Sequence, residues 1–183
     1  MRRGHPLPRL WMMTDERQGE SLWPALKALP RGSGVIARHY SLAPRQRRRL
    51  IARIRKIARA RRLVLIVAGS AKLARSVRAD GFHRRTGHRT PRDLLRTVAV
   101  HNQIELRLAE RIGANLVFLS PIFPTDSHPG GRTLGRVHFG QLATRSHIPV
   151  IALGGMDAAR ARSLRTLGLY GWAAIGALTP ARN

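Results

Sequence analysis

Three places in this sequence put reactive or anion-binding groups where a strand gives way to a turn. His101 stands at the end of the apolar run Leu94 to Val100, immediately before Asn102 and a helical pattern. An imidazole at such a junction can move a proton near neutral pH, although a lone His is as readily structural. Gly154-Gly155 closes the apolar run Pro149 to Leu153, and Gly176-Ala177 follows Trp172 to Ile175. Glycine turns at strand ends let backbone N–H groups reach an anion with no Cβ in the way. The third place is Leu116 to Gly135, LVFLSPIFPTDSHPGGRTLG, where four apolar residues run into Ser120-Pro121 and a polar segment carrying Thr125, Asp126, Ser127 and His128. A long polar loop on the carboxyl end of a buried strand is where α/β proteins place their chemistry.

These groups need a scaffold, and the hydrophobic pattern supplies one. Strands are expected at Leu10 to Met13, Val35 to Arg38, Leu63 to Val67, Asp80 to His83, Leu94 to Val100, Leu116 to Leu119, Pro149 to Leu153 and Trp172 to Ile175. Helices are expected at Ser21 to Leu29, Pro44 to Arg61 (capped by Ser41), Ala71 to Val77, Asn102 to Ile112, Phe139 to Ser146 and Asp157 to Leu167. In the fourth of these, Ile104, Leu108 and Ile112 form the expected buried stripe. His83 to Asp93 is basic with no apolar period, and the tail ALTPARN is short for a last helix. Eight strands alternating with crossovers imply a parallel sheet, here a compact (β/α)₈ TIM barrel with trimmed fourth and eighth helices. The competing fold is an open doubly wound sheet, which the absence of G-x-G-x-x-G after the first strand disfavours. A barrel would gather Thr14, Arg38, Gly69, His83, His101, Ser120, Thr125, Gly154, Gly155 and Gly176 at one mouth.

Composition sets the outer limits. A chain of 183 residues, 43% apolar, suits one domain spanning 1–183. No apolar run reaches membrane-spanning length, the N-terminus has no secretory h-region, and there is no Cys. A cytoplasmic location is the expectation. The net charge of +25 raises the question of nucleic acid. Only Lys27, Lys56 and Lys72 are lysines among the 34 basic residues, so the excess is an Arg bias spread over the chain. Arg45 to Arg62 would wrap a solvated helix face, with few aromatics for base stacking. Nucleic acid is therefore expected to bind only non-specifically, while small anions are drawn to the same field. Asp126, His128 and His138 match no standard zinc spacing, and no G-x-S-x-G or Walker A segment occurs.

IPVIALGGM (148–156), YGWAAIGAL (170–178), LVFLSPIFPT (116–125) and ADGFH (79–83), with WMMTD near the start and AVHNQIE (99–105), resemble the thiamine phosphate synthase and TenI superfamily. The likeness runs in order along nearly the whole chain and is densest from Ala99 onward. It implies a compact barrel and a phosphorylated thiazole, or thiamine phosphate, as ligand. It implies that Arg38, Thr125, Ser127, His128, Gly154, Gly155, Gly176 and Ala177 contact substrate or its phosphate. It makes His101 the acid–base group, with His83 and His128 as lesser candidates.

The departures are as specific. The family's Mg²⁺ is held by Asn-Asp after the third strand and by an Asp after the fourth. Here those positions are Ala68 and Gly69, and His83 is followed by Arg84 and Arg85. No metal and no other cofactor are therefore expected, since hard cations need oxygen ligands. The family's Lys positions correspond to Tyr40 and His128, and the Ser before the motif His is Ala99. A TenI-like thiazole tautomerase, which moves a proton and needs no metal, fits these losses. The alternatives are a thiamine phosphate synthase in which Arg84, Arg85 and Arg89 replace Mg²⁺, or a barrel that binds its ligand without chemistry. Oligomeric state is left open by the sequence.

Overall fold

The computed structural model describes residues 6–84, 90–125 and 130–179. Eight parallel strands close a barrel in sequence order: β1 (Leu10–Met13), β2 (Gly34–Ala37), β3 (Val64–Ala68), β4 (Gly81–His83), β5 (Leu95–Val100), β6 (Leu116–Leu119), β7 (Val150–Ala152) and β8 (Gly171–Ala174). β8 pairs back to β1, with Leu10 opposite Trp172 and Met12 opposite Ala174. The helices are α1 (Leu22–Ala28), α2 (Pro44–Arg61), α3 (Ala71–Ser76), α4 (Gln103–Arg111), α5 (Gly135–Thr144) and α6 (Ala158–Ser163).

Every second strand residue points inward. Trp11, Met13, Ile36, Ile66, Leu116, Phe118, Ile151 and Ala173 fill the barrel, and Trp11 meets Phe118 edge-on at 5.5 Å between ring centroids. Gly34 is what admits Trp11, because a Cβ there would stand 2.1 Å from the indole. The alternate residues pack under the helices in two clusters, one beneath α1 to α3 around Ile51, Ile54 and Leu65, and one beneath α4 to α6 around Leu106, Val117 and Phe139. Full burial of such side chains contributes roughly 1.5–3 kcal/mol each.

No described residue between β4 and β5 is helical. Arg96, on the outer side of β5, is 1% exposed in this gap. Its Nε donates to the Arg84 carbonyl (3.2 Å) and its guanidinium lies over Phe82. After β8 the described chain makes only a 3-10 turn, Gly176–Leu178.

A 3-10 turn, Glu16–Ser21, capped by Asp15, precedes α1. Three expectations need correction. Ser41 does not cap α2; Ala43 stands at the N-cap with no side-chain bond, and Ser41 pairs with Glu16 instead. The stripe on α4 is rotated: Leu106 and Ala109 are buried, whereas Ile104 is 80% exposed. Asn102 fixes that rotation by accepting from the Glu105 N–H. Finally, α5 begins at Gly135, four residues early, because the Leu134 and Gly135 N–H groups donate to the Pro121 and Ile122 carbonyls of the β6 loop.

Candidate active site

The carboxyl ends of the strands open into a cavity of about 820 Å³. Its lining includes Arg38, His101, Thr125, Gly154, Gly155, Gly176 and Ala177, the described residues expected to contact substrate or act as the acid–base group. Ser127 and His128 lie outside the described residues. Ser120 also lines the cavity; Thr14, Gly69 and His83 do not.

His101 is exposed at the start of α4. Its Nδ1 lies 2.6 Å from the Ser120 carbonyl, and its N–H donates to Glu105 Oε2 (2.9 Å). A carbonyl cannot donate, so in the neutral ring Nδ1 carries the proton and Nε2 keeps the lone pair. That leaves a ring nitrogen able to accept a proton.

The two glycine turns differ in physical character. Gly154 and Gly155 have φ of 92° and 60°, the left-handed region. A Cβ at Gly154 would sit 2.7 Å from Pro121, and one at Gly155 would sit 2.3 Å from the Pro124 carbonyl. These glycines let the β7 turn press against the β6 loop. Arg160 of α6 ties the contact together: it donates to the Gly155 carbonyl and lies over the Phe123 ring. Gly176 has no such constraint, since a Cβ there would meet nothing within 4 Å. The N–H groups of Gly176 and Ala177, at the start of their 3-10 turn, donate to no acceptor among the described residues.

Sequence reasoning missed Asp15, Arg17, Gln18, Arg132 and Arg160. Among the described lining residues, Arg17, Arg38, Arg132 and Arg160 stand against one carboxylate, that of Asp157. Arg38 is steered by the Thr14 carbonyl (3.1 Å) and by Asp15, whose other oxygen accepts from the Arg17 Nε at 2.7 Å. The bond from Arg17, with further help from Arg38, holds the Asp15 carboxyl down at about 2. Thr14 Oγ1 takes the Arg38 N–H and pairs with His39 Nδ1. The signal that could have drawn attention to this corner is the D-x-x-Q spacing of a capping box directly after the first strand.

The ends of β3 and β4 do not suit a divalent cation. Ala68 is buried in the barrel, and its carbonyl accepts from Arg47, whose Nε holds the Arg38 carbonyl (2.9 Å). The Gly69 N–H donates to the His83 carbonyl. His83 itself is pushed down to about 4 by burial and by Arg38, and its Nδ1 pairs with Thr97 Oγ1 at 2.8 Å. Among the described residues no three His, Cys, Asp or Glu side chains converge. Among the described residues, the ends of β3 and β4 thus present no carboxylate to a hard cation, and the Arg47 guanidinium lies on the Ala68 carbonyl.

Comparison with known proteins identifies the family. A relative from Aquifex aeolicus, provisionally named thiamine-phosphate synthase 2, is 30% identical over 92% of this chain and 96% of its own length. The thiamine-phosphate synthase of Lactococcus lactis subsp. lactis is 26% identical over 75% of this chain and 68% of its own. The solved structure of a thiamine phosphate pyrophosphorylase from Pyrococcus furiosus superposes with a TM-score of 0.77 at 25% identity, covering 93% of this chain and 86% of that one. The family model described as thiamine monophosphate synthase (TMP-TENI) matches residues 11–178. The chain belongs to the thiamine monophosphate synthase family of thiamine biosynthesis.

Proposed function

We propose that the mouth binds a phosphorylated thiazole and joins it to a pyrimidine methyl diphosphate, giving thiamine phosphate. The observation that carries this reading is the convergence of His101, two glycine turns and four guanidinium groups on one cavity. The phosphoryl group lies against the free N–H groups of Gly176 and Ala177, and cationic walls favour its charge. In the reaction the methylene–oxygen bond to diphosphate breaks and the methylene carbon bonds to the thiazole nitrogen. Arg17 and Arg38 take the departing diphosphate by charge-assisted hydrogen bonds, in place of a metal. Arg84 is not among the cavity residues, and Arg85 and Arg89 lie outside the described residues. The names of the relatives favour this transferase reading.

A second reading, a thiazole tautomerase with His101 as acid–base group, is favoured by the bond from His101 Nδ1 to Ser120, which leaves Nε2 free to take a proton. One assay separates the two. The protein is given the pyrimidine diphosphate and thiazole phosphate, with Mg²⁺ and with EDTA, and separately the non-aromatic thiazole tautomer. Thiamine phosphate formed equally in EDTA supports metal-free coupling, and formation only with Mg²⁺ overturns its metal-free part. Aromatisation without coupling, lost about 100-fold or more in His101→Ala, establishes the second reading. Neither product, with thiazole phosphate still raising the melting temperature, leaves a binding protein.

A further inference from the structure

The turn that offers its N–H groups to the phosphate is held by one side chain from the far end of the sequence. The Thr179 N–H donates to the Gly176 carbonyl and its hydroxyl to the Ile175 carbonyl, both at 2.8 Å. A threonine hydroxyl has one proton, so Oγ1 is left only as an acceptor. Gln18 Nε2 donates to it at 2.8 Å, across 161 positions of sequence. The other end of the same amide, Oε1, accepts from the Asp15 N–H at 2.8 Å. Both ends of the amide are therefore fixed, and reversing it would set donor against donor and acceptor against acceptor. Gln18 is 5% exposed and lines the cavity. Asp15, which it holds, is the carboxylate that aims Arg38.

We infer that Gln18 is a positioning residue for anion binding: its amide sets the Gly176–Leu178 turn in register with the Asp15–Arg38 pair, so that backbone N–H groups and guanidinium meet one phosphorylated ligand. This rests on the phosphate reading above. No described residue other than Gln18 bonds the Thr179 side chain from outside its own turn.

The test is calorimetric titration of the full chain with thiazole phosphate and with inorganic phosphate, alongside melting temperatures. Gln18→Met keeps the length and loses both bonds. Thr179→Val loses the acceptor together with the hydroxyl's bond to Ile175, and Thr179→Ser keeps both. Gln18→Met and Thr179→Val should each weaken binding about tenfold, as expected for one or two lost hydrogen bonds, with Thr179→Ser close to the parent. The losses should be less than multiplicative in the double variant, because the two share the Gln18–Thr179 bond. In turnover, KM should rise with kcat unchanged. Parent-like affinity in Gln18→Met, or strictly multiplicative losses in the double variant, overturns the inference and leaves the phosphate reading standing. Failure of the parent to bind either ligand overturns both. Should Gln18→Met not fold, the contrast between Thr179→Val and Thr179→Ser decides alone: equal affinities overturn the inference.

Discussion

Asp15 and His83 make the stability of this protein depend on acidity in two separate windows. The Asp15 carboxyl sits at about 2 instead of 3.8. A lowered carboxylate stabilises the fold above 3.8 and loses that contribution as pH falls through 2; the shift corresponds to about 2 kcal/mol. His83 sits at about 4 instead of 6.5. The unfolded chain binds this proton first, so stability is intact above 6.5 and falls by up to about 3 kcal/mol as pH drops to 4. Urea unfolding followed from pH 8 to 2 should show both limbs. Asp15→Asn should lose about 2 kcal/mol at pH 7 and flatten the lower limb, and His83→Gln should flatten the upper one. Of these two residues, sequence reading placed His83 at the mouth and gave Asp15 no role. Arg38, His101 and the glycines were legible because strand ends are legible. Arg17 and Gln18 were not, because each takes its position from a short 3-10 turn, which leaves no periodic trace, and Arg160 stood in an expected helix with nothing in the sequence to aim it at Gly155.

The β6 and β7 loops behave as one packed unit, and their glycines should respond to substitution differently from those after β8. Gly155→Ala places a Cβ 2.3 Å from a backbone carbonyl at a φ of 60°. It should cost 2 kcal/mol or more and lower the melting temperature by several degrees. Gly176→Ala has open space and should melt with the parent while weakening phosphate binding. Differential scanning calorimetry with and without thiazole phosphate reads both. All eight strands could be read from sequence because a strand buried on both faces is a short apolar run between breakers. The helices were less readable. On α4 the sequence offers two apolar stripes, and the cap at Asn102, not hydrophobicity, selects Leu106 and Ala109. On α5 the first turn is glycine-led and looks like loop until its N–H groups are seen to dock on β6.

Across the molecule, the net charge of +25 acts as a field rather than as a site. The basic helix α2 is not uniformly solvated: Arg47 clamps the ends of β2 and β3, Arg53 lies 3.6 Å over Trp23, and Arg61 holds the Leu29 carbonyl. The remaining cations should draw anionic ligands faster at low ionic strength, so the association rate for thiazole phosphate should fall steeply between about 0.02 and 0.3 M salt in stopped flow. Binding to an unrelated DNA duplex should vanish over the same range, without sequence preference. Among the described residues no helix is long and apolar enough to cross a membrane.

The seam where β8 meets β1 sets a timetable for synthesis. Tyr170 reaches back to the Leu7 carbonyl, and Gln18 is met by Thr179. While the ribosome is still making the last strand, the nascent polypeptide has its histidine and its arginines but no place for a ligand to rest. A site lined from both ends of the chain is complete only once β8 has closed on β1.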